Sequence, residues 1–342
     1  MPPASSRLTQ LSRLVDLEPG WSRVLAAPAI PAVFEEGPAG ARLLMLELLV
    51  SEWTPQLASF RRELRWDARH GQMIRRTLRE QLEDGSWPVK APREPVGAYR
   101  QMVLVMLVEK LHTLMRLGGR RSWPEARQAI RALLGFQQPD GRFPLMYHHH
   151  AAIGSLMISL GLGRNPAVHK AAHWILERQR EDGGWLHPHM AGSGKRSRSC
   201  LWTTAEVLAF LGRYPTMRVK EKLQAAGEFL LKHALEANTT SLLPGADAWN
   251  FLQTGSRGVQ LFQGGTLKVL DGLSLAGFNP AQRTFKKLYE WLLNQQLPGG
   301  LLPRVAERDE KGDAVVTVRA LDVIRRVEIG RPTHLAGEAP TA

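Results

Sequence analysis

The sequence predicts an all-α protein built from one repeated helical unit, and three observations carry that expectation. A signature recurs with fixed internal spacing, an amphipathic helix precedes each copy and a more apolar helix follows it, and Gly and Pro punctuate the chain between units. The signature reads Leu78-x-x-Gln81-x-x-Asp84-Gly85-Ser86-Trp87, then Leu134-x-x-Gln137-x-x-Asp140-Gly141-Arg142-Phe143, then Leu176-x-x-Gln179-x-x-Asp182-Gly183-Gly184-Trp185. Leu292-x-x-Gln295-x-x-Pro298-Gly299-Gly300-Leu301 reads as a worn copy. Self-similarity of this kind marks an array of one structural unit.

Within a unit, the first helix ends at Leu-x-x-Gln, where the Gln side chain can bond backbone groups left over at the helix end. Asp-Gly or Gly-Gly turns the chain, because Gly takes a positive φ without steric cost. The aromatic residue anchors the exit. The second helix stops at Gly and the next begins near Pro: Gly118 to Pro124, Gly163 to Pro166, Gly212 to Pro215, Gly277 to Pro280. Asn165 and Asn279, each before Pro, are expected N-caps. From Gln81 to Gln137 is 56 residues, from Gln137 to Gln179 is 42, and from Gln179 to Gln295 is 116, about two periods. A degenerate copy is therefore placed at Phe229-Leu230-Leu231-Lys232-His233, with His233 in the Gln position. Five hairpins follow: 68–82 with 97–117, 123–137 with 147–161, 165–179 with 199–212, 216–235 with 264–276, and 280–296 with 313–327. Residues 40–66 read as a partial N-terminal element. The array thus spans 40–329, between an N-terminal extension, 1–39, and a loose tail, 330–342.

The Gln-x-x-Asp-Gly-x-Trp segment resembles the repeat of the squalene–hopene cyclase and protein prenyltransferase β-subunit families, over about residues 68–327. The resemblance implies an α/α toroid, an inner ring of helices inside an outer one. It also implies a functional cavity lined by inner helices and by the loops at their N-terminal ends. It does not by itself carry an activity.

Composition narrows the classes. No run of about 18 apolar residues occurs, so no transmembrane helix is expected. Met1 to Leu17 lacks an apolar signal core, which points to a cytoplasmic protein. One cysteine, Cys200, excludes an internal disulfide. The net charge is +13 and the pI about 10.3. These cations are spread along outer helices (Arg61, Arg62, Arg65, Arg69, Arg75, Arg76, Arg79, Arg127, Arg131, Lys220, Lys222, Lys286, Lys287) and read as a solvated face. No nucleic-acid signature accompanies them. An anionic membrane surface is the more informative alternative partner.

Candidate chemistry gathers at the inner-helix starts. Tyr147-His148-His149-His150 opens one of them, and neighbouring histidines there diverge by about 100°. His187, His189 and Cys200 are residue types that suit zinc. The prenyltransferase resemblance matches Cys200 to a zinc cysteine, but Arg198 stands in the place of its Asp partner. Gln263-Gly264-Gly265 offers no histidine, so no metal or other cofactor is expected. The cyclase family supplies its acid from Asp-x-Asp-Asp, because protonating an alkene needs a strong, hydrogen-bonded carboxylic acid. That motif is absent; Asp247, Asp271, Asp313 and Asp322 stand singly. Asp-Asp-x-x-Asp is absent too, so no magnesium site is expected. Lys195, Arg196 and Arg198 precede Cys200 and a helix start, a setting that lowers a thiol pKa or binds an anion. Trp202 and Trp249 lie on or near inner elements, where aromatics can line a cavity. The candidate catalytic residues are therefore Asp247, Cys200 and His148. The candidate ligand-binding residues are His148, His150, His187, His189, Arg196, Arg198, Trp202 and Trp249. The expected function is central binding of an apolar, isoprenoid-type ligand without the complete catalytic motifs of either family. The alternative is a non-catalytic protein-interaction scaffold, and these residues leave open whether the chain is an enzyme.

Overall fold

A computed structural model of the chain describes residues 4–89, 96–116, 119–186, 199–214, 220–233, 265–303 and 311–330. All regular structure among them is helical. In chain order the helices are α1 (Ala4–Ser12), α2 (Ala29–Glu36), α3 (Ala39–Leu49), α4 (Pro55–His70), α5 (Gln72–Arg79), α6 (Val96–Arg116) and α7 (Pro124–Leu134). Then come α8 (Tyr147–Met157), α9 (Pro166–Leu176), α10 (Leu201–Arg213), α11 (Lys220–His233), α12 (Thr266–Leu275), α13 (Arg283–Leu293) and α14 (Ala314–Ile329).

Local chemistry sets the helix ends. The Thr54 hydroxyl accepts from Leu57 N, the Asn165 side chain from Ala167 N, and the Asp313 carboxylate from Val315 N and Val316 N. Pro55, Pro124 and Pro166 occupy first-turn positions. Gly330 closes α14 in the left-handed region. Gly212 behaves differently from expectation. It lies inside α10, and a Cβ there would come within 2.6 Å of Leu275 Cβ, so its role is close approach of α12.

The helices form an α/α toroid. The inner ring is α3, α6, α8, α10, α12 and α14; the outer ring is α2, α4 with α5, α7, α9, α11 and α13. Successive inner helices pack side by side from α6 through α8, α10 and α12 to α14, and α14 packs on α2 and α3. The described residues thus make six hairpins, where the sequence suggests five and a fragment. Residues 29–36, assigned to an extension, are the outer helix of the sixth; Ile30 and Val33 are buried in the core. The expected outer helix 68–82 is two helices, α4 and α5, separated at Gly71.

The repeat glutamines link one hairpin to the next. Gln81 Nε2 donates to Gly85 O of its own loop (2.9 Å) and to Glu125 O at the start of α7 (3.0 Å). Gln137 does the same to Gly141 O (3.0 Å) and Ala167 O in α9 (2.8 Å). Gln179 reaches Gly183 O and Lys222 O in α11, both at 2.8 Å. The last copy belongs to Gln296, one residue later than the sequence suggested. Its Nε2 donates to Gly300 O and Ala27 O, both at 2.8 Å, and its Oε1 accepts from Ala27 N at 2.9 Å. Gln295 donates only to Trp291 O in its own helix. The backbone settles the register: Gly85, Gly141, Gly183 and Gly300, each four residues after its Gln, have φ of 87°, 95°, 86° and 90°. The exit aromatics are structural too: Trp87 Nε1 donates to Thr77 O and Trp185 Nε1 to Ile175 O. His233 ends α11 against Phe229, and the loop after it lies outside the described residues.

Candidate functional site

The inner helices carry ionisable residues at helical spacing within otherwise apolar sequences. On α10 these are Glu206 and Arg213, on α12 Lys268 and Asp271, and on α14 Arg319, Asp322 and Arg326. On α8 the residues keeping partial exposure are Tyr147, at its first turn, and then His148, Ala152 and Ser155, followed by Ser159 just beyond the helix. From His148 their spacing is 4, 3 and 4, one stripe of a helix. Lys268, Asp271 and Arg319 are likewise half-buried. The far face of α8 meets the outer ring, where His150 touches Ala171 O and Trp174 of α9. His148 lies about 200° from His150 around the helix axis and so faces inward.

Charge is tightly paired in this interior. Arg213 Nη2 bonds both Asp271 oxygens, at 2.8 and 2.7 Å, and Arg326 Nη2 bonds Asp271 Oδ1 at 2.7 Å. Arg326 also lies 3.4 Å from Asp322 Oδ2, one turn away. Lys268 pairs with Glu206 at 3.2 Å. Arg319 reaches His112 of α6 at 3.2 Å, although α3 stands between those two helices in the ring order, so this contact crosses the interior. Burial alone would raise Asp271, but Arg213, Arg326 and Lys268 hold its carboxyl well below the usual carboxylate range. Burial raises Asp322, and Asp271 adds to the effect against the pull of Arg326. The two carboxyls are thereby split, one a firm anion and the other the readier to hold a proton. Two buried donors on the same stripes, Trp202 Nε1 and Arg326 Nη1, have no acceptor among the described residues.

The structure redistributes the sequence candidates. His150 is a structural tie. Its Nδ1 accepts from Phe143 N (3.2 Å), its Nε2 donates to Ala171 O (2.9 Å), and both ring nitrogens are thereby used on backbone. Thr204 and Thr317 do the same work one unit along the ring and in its last unit, accepting from Trp185 N and Leu302 N. Burial lowers the His150 pKa to about 4. Cys200 is buried at the N-cap of α10, where its N–H donates to Trp185 O. Asp313 is a helix cap, whereas Asp271 and Asp322 share one network. His187, His189, Lys195, Arg196, Arg198, Asp247 and Trp249 lie outside the described residues. Among the described residues no three His, Cys, Asp or Glu side chains come together as metal ligands. Glu206, Arg213, Lys268, Arg319, Arg326 and His112 were not among the candidates. The available signal was their spacing of three, four or seven within apolar helices. A separate cleft of about 510 Å³, lined by Trp21, Leu48, Leu57, Arg325 and Ile329, lies at the C-terminal ends of α3 and α14, not at the inner N-terminal rim.

No protein-family profile and no curated protein sequence matches the chain. Solved structures do. The apo type II terpene cyclase MstE from Scytonema matches at 15% identity and a TM-score of 0.42, over 84% of this chain and 87% of that one. A substituted form of MstE in complex with its substrate, geranylgeranyl dihydroxybenzoate, matches at 14% identity and 0.44, over 85% and 86%. A glycosyl hydrolase family 88 protein from Bacteroides vulgatus matches at 12% identity and 0.40, over 84% and 91%. The chain's own helices and their packing make it an α/α toroid. No helix among the described residues is long and apolar enough to cross a membrane.

Proposed function

We propose that the toroid binds a small amphiphilic ligand of the isoprenoid class in its interior, with an anionic head group toward Lys268, Arg319 and Arg326 and an apolar chain along Trp202 and Ala152. The observation that supports this reading is the inward stripe of paired charges that includes two buried donors, Trp202 Nε1 and Arg326 Nη1, without acceptors among the described residues. Ionisable side chains are rarely buried for stability alone, and a buried donor costs free energy until an acceptor reaches it. An oxygen-rich head group would supply that acceptor. His148 faces the same interior. His187, His189, Arg196, Arg198, Asp247 and Trp249 precede inner-helix starts in sequence and are proposed as rim contacts.

The same charges argue against cationic cyclisation. Four cations (Arg213, Lys268, Arg319 and Arg326) share this interior with three carboxyls (Glu206, Asp271 and Asp322), and the excess of positive charge disfavours a carbocation there. Binding, or chemistry on an anionic substrate, suits the ring better. The scaffold alternative has its own support in the Arg319–His112 contact, which narrows the interior.

Calorimetric titration with farnesyl diphosphate and farnesol separates the two readings. The diphosphate is expected to bind more tightly than the alcohol, to weaken with added salt, and to lose affinity in a Lys268→Ala, Arg319→Ala double variant. Absence of saturable binding for both compounds would place the scaffold reading in front.

A further inference from the structure

Glu47, near the C-terminal end of α3, is met by three arginines. Arg61 Nε of α4 lies 3.3 Å from its Oε1 and Arg65 Nη2 of α4 lies 3.6 Å from the same oxygen. Arg120, between α6 and α7, bonds Oε2. Three cations on one anion leave an excess of two positive charges. These are not loose surface groups, since side-chain exposures are 14%, 37% and 17% for the arginines and 18% for Glu47. The Arg61 guanidinium is fixed over the Trp53 ring, 4.3 Å from its centroid. Arg65 Nε is buried and has no hydrogen-bond partner among the described residues. Burial, with repulsion from Arg61 and Arg120, lowers Arg65 to about 10. A structural ion pair would need one arginine for Glu47, and the other two raise its electrostatic cost.

We propose that Arg61, Arg65 and Arg120 form an anion site for a phosphate group, separate from the ring interior, in which Glu47 is the resident competitor. Guanidinium forks match phosphate oxygens, and their charges are not lost at neutral pH. Two sources share this chemistry. One is a soluble phosphate ester or diphosphate. The other is the phosphate of an anionic lipid, for which Trp66, 66% exposed on the same helix, is a suitable interfacial side chain.

The test uses the full-length protein in two arms. One is calorimetry with inorganic pyrophosphate and with glycerol phosphate. The other is cosedimentation with phosphatidylcholine vesicles, with and without phosphatidic acid. Saturable binding in either arm is expected to weaken by about tenfold in Arg65→Gln, the loss of one charge-assisted contact. It is expected to tighten in Glu47→Gln, which removes the competitor. A purely structural cluster would not produce tighter binding. Binding to phosphatidic acid vesicles alone, lost in Arg65→Gln, assigns the lipid source; binding in solution assigns the soluble one. Melting curves of both variants report their folding, and Arg61→Gln is the second probe if either unfolds. Lys268→Ala leaves this binding intact, so failure of the interior reading does not touch it. No saturable binding in either arm, or binding unchanged in Arg65→Gln and Arg61→Gln, overturns the proposal.

Discussion

Gln295 and Gln296 are adjacent, and only one of them holds the ring together. Gln296→Ala removes bonds to Gly300 and Ala27, and Gln179→Ala removes those to Gly183 and Lys222. Each is expected to cost about 1–3 kcal/mol in denaturant unfolding, because carbonyls lose their donor. Gln295→Ala is expected to stay within about 0.5 kcal/mol, as its bond is within one helix. Equal effects for Gln295 and Gln296 would contradict the register. His150 gives a pH signature. Its folded pKa is about 4 against an ordinary value near 6.5, so the unfolded chain takes up the proton first as pH falls. The contribution is complete above pH 6.5 and is lost between about 6.5 and 4, on the order of 3 kcal/mol. A His150→Thr variant should unfold with a flatter pH dependence over that window. The sequence showed a histidine run at a helix start but not that His150, Thr204 and Thr317 are equivalent. They follow Phe143, Trp185 and Leu302 by 7, 19 and 15 residues, so loop length hides the match.

α8 and α10 approach across Gly154, where a Cβ would stand 2.4 Å from the Phe210 ring. Gly154→Ala is expected to cost about 1–3 kcal/mol through overpacking, read as a lowered melting temperature. Asp271→Ala would leave Arg213 and Arg326 facing each other without their shared anion, at an expected cost of about 3–5 kcal/mol. Asp271→Asn keeps the shape and tests the charge alone. The inner helices were legible from their apolar runs and from Gly and Pro at their ends. Their ionic network was not, because Asp271 pairs with Arg213 and Arg326, which are 58 and 55 residues away. Helical spacing shows which face a residue shares, but nothing in it says which face of the next helix it meets.

For the molecule as a whole, closure governs stability. α14 packs on α2 as well as on α3, so removing residues 1–37 should expose the α14 flank that includes Ala314, the neighbour of Gly37. Such a truncation is expected to aggregate or to unfold without a cooperative transition, which calorimetry would show. Three good copies of one signature were enough to read a helical array, and their resemblance to the cyclase and prenyltransferase repeat implied the toroid. The sixth hairpin escaped because α2 and α3 are joined by Gly37-Pro38 alone, and a two-residue connection has no room for the signature loop.

The seam at Gln296 and Ala27 is made without a peptide bond between the two hairpins, and it includes the same Nε2-to-carbonyl bond that links Gln137 to Ala167 where the chain runs on. Covalent continuity is therefore incidental at any one junction between hairpins. A circular permutant that joins the present termini through a flexible linker and opens the chain at Arg164 should form the same ring, with Gln137 and Ala167 serving as its seam.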